Sequence, residues 1–108
     1  MKSILLTVQS NGSGGWRLGL NKNDSIKYFS HLETIQFVLT DELILFCNAV
    51  CGTSQKKAFD FNNVKLSKWI IENSFQDYPN RKPTKLIFIL NVAKSRKVLI
   101  FERVITIP

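Results

Sequence analysis

Two long apolar runs near the C-terminus dominate the hydrophobic pattern of this sequence. They cover residues 85–92 and 98–107 and are rich in β-branched and aromatic residues, which suit the packed surface of a β-sheet. The first run is apolar at consecutive positions, so we expect a strand that is covered on both faces. The polar linker between the runs, residues 93–97, is short enough for a hairpin turn. The pattern therefore predicts a hairpin at the centre of a sheet.

Shorter segments of alternating apolar and polar residues predict further strands. Glycines and polar turn residues separate these segments, as is typical of loops between strands. The predicted strands cover residues 3–9, 16–20, 34–39 and 43–50, with a short edge strand at 56–61.

One segment carries a strong helical signal. Asn62 or Asn63 can cap a helix over about residues 64–73, because asparagine side chains accept hydrogen bonds from first-turn N–H groups. Apolar residues recur there at i, i+3 and i+4, the stripe that lies on a sheet. The stripe consists of Leu66, Trp69 and Ile70. We expect Trp69 to be part of the core.

A weaker helical signal precedes the third strand. Asn23 or Asp24 can cap a short helix that ends near Leu32, with Ile26 and Phe29 on its apolar side. The elements together predict an α+β fold in a single domain, residues 1–108. We expect a twisted, mostly antiparallel sheet or open barrel of about six or seven strands with two short helices.

Composition agrees with a globular domain that has no membrane segment. The hydrophobic fraction is 44% and the charged fraction 21%, and 108 residues can bury a core without disulfides or metal. No apolar run approaches the about 20 residues that a membrane helix needs. Residues 1–8 are too short and too polar at their end for a secretory signal. We therefore expect a cytoplasmic protein with no membrane partner.

The basic residues are concentrated near the C-terminus. The net charge is +7, with a pI near 9.7. Residues 79–108 contain seven Lys and Arg against Glu102 alone, a net charge of +6, whereas residues 1–78 contain eight basic and seven acidic residues. Such a cluster attracts polyanions, so nucleic acid, an anionic membrane surface and an acidic partner are the candidates. The alternative is a solvated basic face that only aids solubility.

A glycine-rich loop, residues 11–15, precedes Trp16 and Arg17. It lacks the Gly-Lys-Ser/Thr ending of a P-loop and leads into a strand rather than a helix, so we do not expect a nucleotide site. Two interpretations are left. The loop is either a flexible hairpin connection or a segment whose backbone N–H groups approach a phosphate backbone, with Trp16 and Arg17 at its edge.

A second loop, residues 78–83, is stiffened by two prolines and carries several groups that can contact nucleic acid. Tyr78 can stack on a base, Asn80 can read an adenine edge, and Arg81 can bind guanine or phosphate. The alternative is a plain connection from helix to strand with solvated charges.

Residues with metal or catalytic chemistry are few. Cys47 and Cys51 have the spacing C-x3-C, but structural zinc requires four ligands and the only histidine is His31. A disulfide between them is disfavoured, because residues four apart on a strand are separated by about 13 Å. No nucleophile, base and stabiliser can be named together. We therefore predict no catalytic residues, no metal and no cofactor.

The predicted plan combines a twisted or barrel-like sheet, two short helices and two prominent loops, residues 11–15 and 78–83. In overall plan it is similar to the B3-like DNA-recognition domains of plant regulators and some bacterial restriction enzymes. The similarity spans most of the chain. It implies a grip on the DNA major groove between two arms, and a place in a restriction or defence system.

Three functional hypotheses follow. The first is a non-catalytic nucleic-acid-binding module that prefers duplex DNA, with phosphate contacts from the basic residues and base readout by the two loops. Its predicted contact residues are Trp16, Arg17, Lys22, Tyr78, Asn80, Arg81, Lys82, Lys94, Arg96 and Lys97. The second is a small protein-interaction or inhibitor module that docks an acidic protein partner. The third is a small ribonuclease or toxin that uses His31 as its acid and base.

Overall fold

The computed structural model describes residues 1–51, 58–79, 82–94 and 96–105. In these residues seven strands form a closed barrel, and two helices pack against it. The strands are β1 (Lys2–Ser10), β2 (Trp16–Leu20), β3 (Thr34–Val38), β4 (Ile44–Cys51), β5 (Phe59–Phe61), β6 (Lys85–Ala93) and β7 (Arg96–Ile105). The helices are α1 (Lys22–Tyr28) and α2 (Val64–Glu72). The described residues form one compact α+β domain, which confirms the predicted fold class.

The strand order around the barrel is β1-β2-β5-β4-β3-β7-β6, and β6 pairs with β1 to close the ring. All neighbours are antiparallel except β3 and β7, which run parallel. The sheet is therefore mostly antiparallel, as predicted, and the barrel is closed rather than open. The prediction of an edge strand at 56–61 is wrong, because β5 pairs with β2 on one side and β4 on the other. Residues 56 and 57 lie outside the described residues.

β6 and β7 form the predicted hairpin and pair over nine positions. Leu86, Phe88 and Leu90 alternate inward along β6 and are buried. Ile87 and Ile89 point outward and are half-buried. The prediction that both faces of this strand are covered is wrong, because a barrel wall packs one face on the core and turns the other outward.

Aromatic rings fill the centre of the barrel. Phe37, Phe61 and Phe88 come from three different strands and have no exposed surface. The ring centroid of Phe37 lies 5.1 Å from that of Phe61 and 5.6 Å from that of Phe88, both in edge-on contact. Such pairs add about 0.5–1.5 kcal/mol to the stabilisation from buried area.

α2 covers one end of the barrel. Asn63 caps it, because its side chain accepts hydrogen bonds from two N–H groups of the first turn. Leu66, Trp69 and Ile70 are buried, which confirms the predicted stripe. The Trp69 ring lies edge-on to Phe101, with 5.1 Å between centroids. The helix therefore packs against the middle of β7 through this contact.

α1 covers the other end and begins earlier than predicted. Asn21 is the N-cap, and its Oδ1 accepts a hydrogen bond of 2.8 Å from the N–H of Asp24. The predicted caps, Asn23 and Asp24, lie inside the helix. The helix ends at Tyr28 rather than near Leu32, whose φ of 65° is incompatible with a right-handed helix.

The buried face of α1 also differs from the prediction. Phe29 is buried as expected, but Ile26 is 55% exposed and Ser25 is fully buried. The Ser25 hydroxyl donates to the carbonyl of Asn21 at 2.7 Å and accepts from the N–H of Phe59 at 2.9 Å. The buried hydroxyl therefore ties α1 to the start of β5, and its hydrogen bonds offset the cost of burying it.

Because neighbouring strands alternate in direction, the connections collect at two ends of the barrel. One end carries α1 and the β6–β7 turn, and we call it the hairpin end. The other carries the glycine-rich loop (residues 11–15), α2 and the α2–β6 connection, and we call it the loop end. Neither α1 nor α2 is long and apolar enough to cross a membrane, and the described residues contain no other α-helix.

Candidate nucleic-acid interface

The predicted contact residues divide between the two ends of the barrel. Trp16, Arg17, Tyr78 and Lys82 lie at or next to the loop end. Lys22, Lys94, Arg96 and Lys97 lie at the hairpin end. Asn80 and Arg81 lie outside the described residues. β6 joins the two ends with nine residues, so they are separated by roughly 26 Å at about 3.3 Å per residue.

At the loop end, the two predicted loops meet through their aromatic residues. The rings of Trp16 and Tyr78 are in edge-on contact, with 6.1 Å between centroids. Both rings are half-buried against the core. The structure therefore brings the glycine-rich loop and the proline-containing connection together, but each ring covers part of the other.

The glycine-rich loop is built around the side chain of Asn11. Its Oδ1 accepts hydrogen bonds from the N–H of Ser13 at 2.8 Å and of Gly15 at 3.0 Å. The N–H of Gly12 donates to the hydroxyl of Ser10 at 3.2 Å. Gly12 and Gly14 have φ of 81° and 84°, which favour glycine. Three N–H groups that could have met a phosphate are therefore engaged within the loop.

Arg17 forms an ion pair on the outside of the barrel wall. Its guanidinium lies 3.4 Å from the carboxylate of Asp60. Burial raises the pKa of Asp60 above its ordinary value, and the nearby charge of Arg17 opposes that shift. Arg17 is paired with a half-buried carboxylate, so it is a weaker candidate for a phosphate contact than an unpaired cation.

The described charges are distributed unequally between the two ends. Among the described residues, the hairpin end carries six basic and two acidic side chains, a net charge of +4. The basic ones are Lys2, Lys22, Lys27, Lys94, Arg96 and Lys97, and the acidic ones are Asp24 and Glu33.

The described residues of the loop end and the adjoining wall include six basic and six acidic side chains and have no net charge. The basic ones are Arg17, Lys65, Lys68, Lys82, Lys85 and Arg103, and the acidic ones are Asp41, Glu42, Asp60, Glu72, Asp77 and Glu102. The three remaining basic residues, Lys56, Lys57 and Arg81, lie outside the described residues and complete the total of +7. The C-terminal basic cluster is therefore not one surface in three dimensions.

Lys97 holds the hairpin end together. It lies two residues before the buried Leu99 on β7, so its side chain points into the mouth of the barrel. Its Nζ donates to the carbonyl of Tyr28 and lies 2.9 Å from the carboxylate of Glu33. The same ammonium lies 5.5 Å from the ring centroid of Phe29. Lys97 thus fixes α1 against the hairpin.

The other hairpin-end cations are exposed. Lys94 occupies the turn with φ of 50°, and Arg96 follows it at the start of β7. Lys22 and Lys27 are exposed on α1, and Lys2 is exposed at the start of β1. Sequence reasoning missed Lys2 and Lys27, because no local signal connects them with the hairpin. Only the closure of the barrel brings these segments together.

In the described part of the chain, the histidine and cysteines do not form a metal-binding cluster. His31 is exposed, and its Nδ1 accepts a 3.0 Å hydrogen bond from the N–H of Cys51. Burial raises the pKa of the Cys47 thiol to about 11. Both cysteines are free thiols. Within the described ranges, no three His, Cys, Asp or Glu side chains are grouped as metal ligands.

Comparisons with protein-family models, curated proteins and solved structures found no match for this chain. The B3-like similarity therefore rests on overall plan alone. The case for any function rests on the geometry and charge of the described residues.

Proposed function

We propose that this protein is a non-catalytic nucleic-acid-binding module, with a preference for duplex DNA, that binds through its hairpin end. The supporting observation is the net charge of +4 on the described residues of that end, whereas the described residues of the loop end and the adjoining wall have no net charge. The contact residues in this proposal are Lys2, Lys22, Lys27, Lys94 and Arg96. The cytoplasmic location expected from the sequence belongs to the same proposal.

A fixed array of cations suits a phosphate backbone better than scattered charges do. Lys97 holds α1 against the hairpin, so the lysines of α1 and the residues of the β6–β7 turn keep a constant spacing. Less side-chain and loop entropy is then lost on binding. Each phosphate contact also releases condensed counterions, which favours association at low salt.

The shape of the hairpin supports duplex DNA. A two-stranded β-ribbon fits the major groove, which is about 12 Å wide. Lys94 and Arg96 lie beside the tip of such a ribbon, where the chain turns from β6 into β7. Arg96 is exposed there and has the donor geometry to pair with guanine or phosphate.

This proposal moves the interface away from the two loops. In the B3-like plan they would be the arms, but their described residues lie at the loop end, and Trp16, Arg17 and Tyr78 are engaged with other protein groups there. A role in a restriction or defence system remains part of the hypothesis and depends on the DNA binding itself.

The salt dependence of binding tests the proposal. Fluorescence anisotropy with a labelled random-sequence duplex would be measured at several salt concentrations for wild type and a Lys94→Gln, Arg96→Gln double variant. If both side chains contact phosphates, the log–log slope should flatten by about two units, at about 0.9 per contact.

The matched control is a Lys65→Gln, Lys82→Gln double variant, which removes the same charge from exposed positions at the loop end. We expect its slope to equal that of the wild type. Equal flattening by both double variants would show that net charge alone matters. No binding of wild type at low salt would refute the nucleic-acid proposal and favour the acidic protein partner.

A further inference from the structure

Within the described residues, one edge of β4 is paired along only half of its length. β3 pairs with it from Ile44 to Asn48, and β5 pairs with it on the opposite side only from Ala49 to Cys51. The segment Ile44–Phe46 therefore has a strand on one side only in the part of the chain that the structure describes. A closed barrel ordinarily leaves no strand edge with unpaired N–H and C=O groups, but this segment of β4 is such an edge.

The hydrogen bonds of β4 identify which backbone groups face the open side. The N–H of Leu39 donates to the carbonyl of Leu43 at 2.9 Å, and the N–H of Ala49 donates to the carbonyl of Glu33 at 2.8 Å. Antiparallel pairing alternates along a strand, so the odd-numbered residues of β4 bond to β3. Ile44 and Phe46 point their N–H and C=O groups away from β3.

Only one of these four groups has a protein partner among the described residues. The amide of Asn63 donates to the carbonyl of Phe46 at 3.1 Å. No described protein group bonds to the N–H or the C=O of Ile44, or to the N–H of Phe46. These groups are spaced to bond an added strand.

A groove lies beside this edge. It has a volume of about 460 Å³ and is lined by β4 and the first turn of α2. Its apolar lining is exposed: Ile44 is 48%, Phe46 55% and Val64 86% accessible. Exposed apolar side chains next to unpaired backbone groups are the features of a strand-addition site, where the backbone gives affinity and alternate side chains give specificity.

The charge of the groove favours an acidic occupant. Lys65 lines it and also lines a second hollow, where Lys68 and Glu72 lie. Lys68 lies 3.8 Å from Glu72, so those two charges offset each other. Lys65 has no ion-pair partner among the described residues.

We propose that the segment Ile44–Phe46 accepts an extended segment of a partner protein as an added strand. The partner segment carries apolar residues at alternate positions, which pack on Ile44, Phe46 and Val64, and an acidic residue that meets Lys65. The site lies beside α2 at the loop end and is independent of the DNA surface proposed for the hairpin end.

Amide-resolved NMR tests this proposal. The probe is a synthetic hexapeptide in which glutamate and valine alternate, added to ¹⁵N-labelled protein. We expect shifts at Ile44, Phe46, Val64 and Lys65, and slower amide hydrogen exchange at Ile44 and Phe46. In the free protein these two amides should exchange faster than that of Leu45, which bonds to β3.

Variants separate backbone pairing from side-chain contact. Phe46→Pro removes an N–H that no described strand uses, so the fold should persist while peptide binding weakens by at least about tenfold. Phe46→Ala keeps the N–H and should weaken binding less. A peptide that is N-methylated at alternate amides makes the same test on wild-type protein and does not depend on the folding of any variant.

A charge reversal at Lys65 tests the predicted contact with an acidic residue of the peptide. Lys65→Glu should prefer a hexapeptide in which lysine replaces glutamate. The proposal is overturned if Phe46→Pro and N-methylation leave binding unchanged, if shifts appear only at Lys22, Lys27 and Arg96, or if millimolar peptide does not bind. Protection of Ile44 and Phe46 that grows with protein concentration alone would also overturn it, because the occupant would then be a second copy of this chain.

Discussion

At the scale of single residues, Ser25 shows how much of the fold depends on one hydroxyl. It is fully buried, and it bonds both to the N-cap of α1 and to the N–H of Phe59. A serine in a short helix would ordinarily favour the solvated face. Here its hydroxyl pairs a backbone group of β5 that would otherwise be buried without a partner.

Replacing Ser25 by alanine should therefore destabilise the folded state more than the removal of one oxygen atom ordinarily would. We expect Ser25→Ala to lower the free energy of unfolding by about 1–3 kcal/mol, because the buried N–H of Phe59 loses its acceptor. Urea denaturation measures the loss. Ser3→Ala, at an exposed position on β1, is the control and should stay within about 0.5 kcal/mol of wild type. Equal stability of the two variants would contradict this role.

The buried thiol of Cys47 makes stability depend on pH in the alkaline range. Its pKa is about 11 in the folded protein, above the ordinary value of 9.0, because burial disfavours the thiolate. The folded state therefore holds the proton more tightly than the unfolded state. The stabilisation is fully present below pH 9 and is lost as pH rises from about 9 to 11.

The prediction compares wild type with Cys47→Ala at two pH values. The stability difference between them should shrink by about 2 kcal/mol between pH 8 and pH 10.5, since one pKa unit corresponds to about 1.4 kcal/mol. Denaturant unfolding at each pH measures it. A difference that is the same at both pH values would show that the thiol is not protected.

At the scale of elements, α1 is too short to be stable by itself. It has seven residues, whereas isolated helices shorter than about 12–15 residues are marginal in water. Its stability depends on Ser25, on the buried ring of Phe29 and on the ammonium of Lys97 at its C-terminal end. A cation near the last carbonyls of a helix is also favourable to its dipole.

Removing the ammonium of Lys97 should destabilise the whole of α1. We expect Lys97→Met to lower the free energy of unfolding by about 1–3 kcal/mol and to speed hydrogen exchange across α1, because Glu33 and the Tyr28 carbonyl lose a charged donor. Arg96→Met is the control, since Arg96 is exposed beside it. It should leave stability unchanged and weaken only DNA binding. Unchanged exchange in Lys97→Met would mean that α1 does not need this contact.

At the scale of the whole molecule, the barrel separates two surfaces. In the described part of the chain, the hairpin end is basic, whereas the loop end with its adjoining wall has no net charge and carries the half-paired edge of β4. The wall between them packs on the core and carries the Arg17–Asp60 ion pair. A ligand that is drawn by charge alone should therefore meet one end only.

An NMR titration with duplex DNA would reveal which end binds. We expect shifts in α1 and around the β6–β7 turn, including Lys22, Lys27 and Arg96, and few in residues 11–15 or at Tyr78. Labelled protein is titrated with a random-sequence duplex at low salt. Shifts confined to the glycine-rich loop and Tyr78 would restore the two-arm grip expected from the B3-like plan and refute the hairpin-end interface.

Local sequence patterns were sufficient to identify most elements. The β6–β7 hairpin, the buried stripe of α2 and the core position of Trp69 all follow from periods of two or about 3.6 residues, which reflect burial on one side of an element. They also predicted a single α+β domain with a mostly antiparallel sheet. α1 was predicted with the wrong cap and the wrong buried face, because contacts with β5 and β7 decide what a seven-residue helix buries.

What only the tertiary structure decided is the arrangement of these elements in space. Lys82 and Arg96 are close in sequence, yet β6 runs the length of the barrel between them and places them at opposite ends. Lys2 and Lys27 are distant in sequence from the hairpin, yet closure of the barrel places them at its end. The pairing of β6 with β1 and the half-free edge of β4 depend on contacts between distant segments. A periodic pattern records which side of a strand is buried, but it holds no information on which strand lies next to it, so the two surfaces emerge only when the barrel closes.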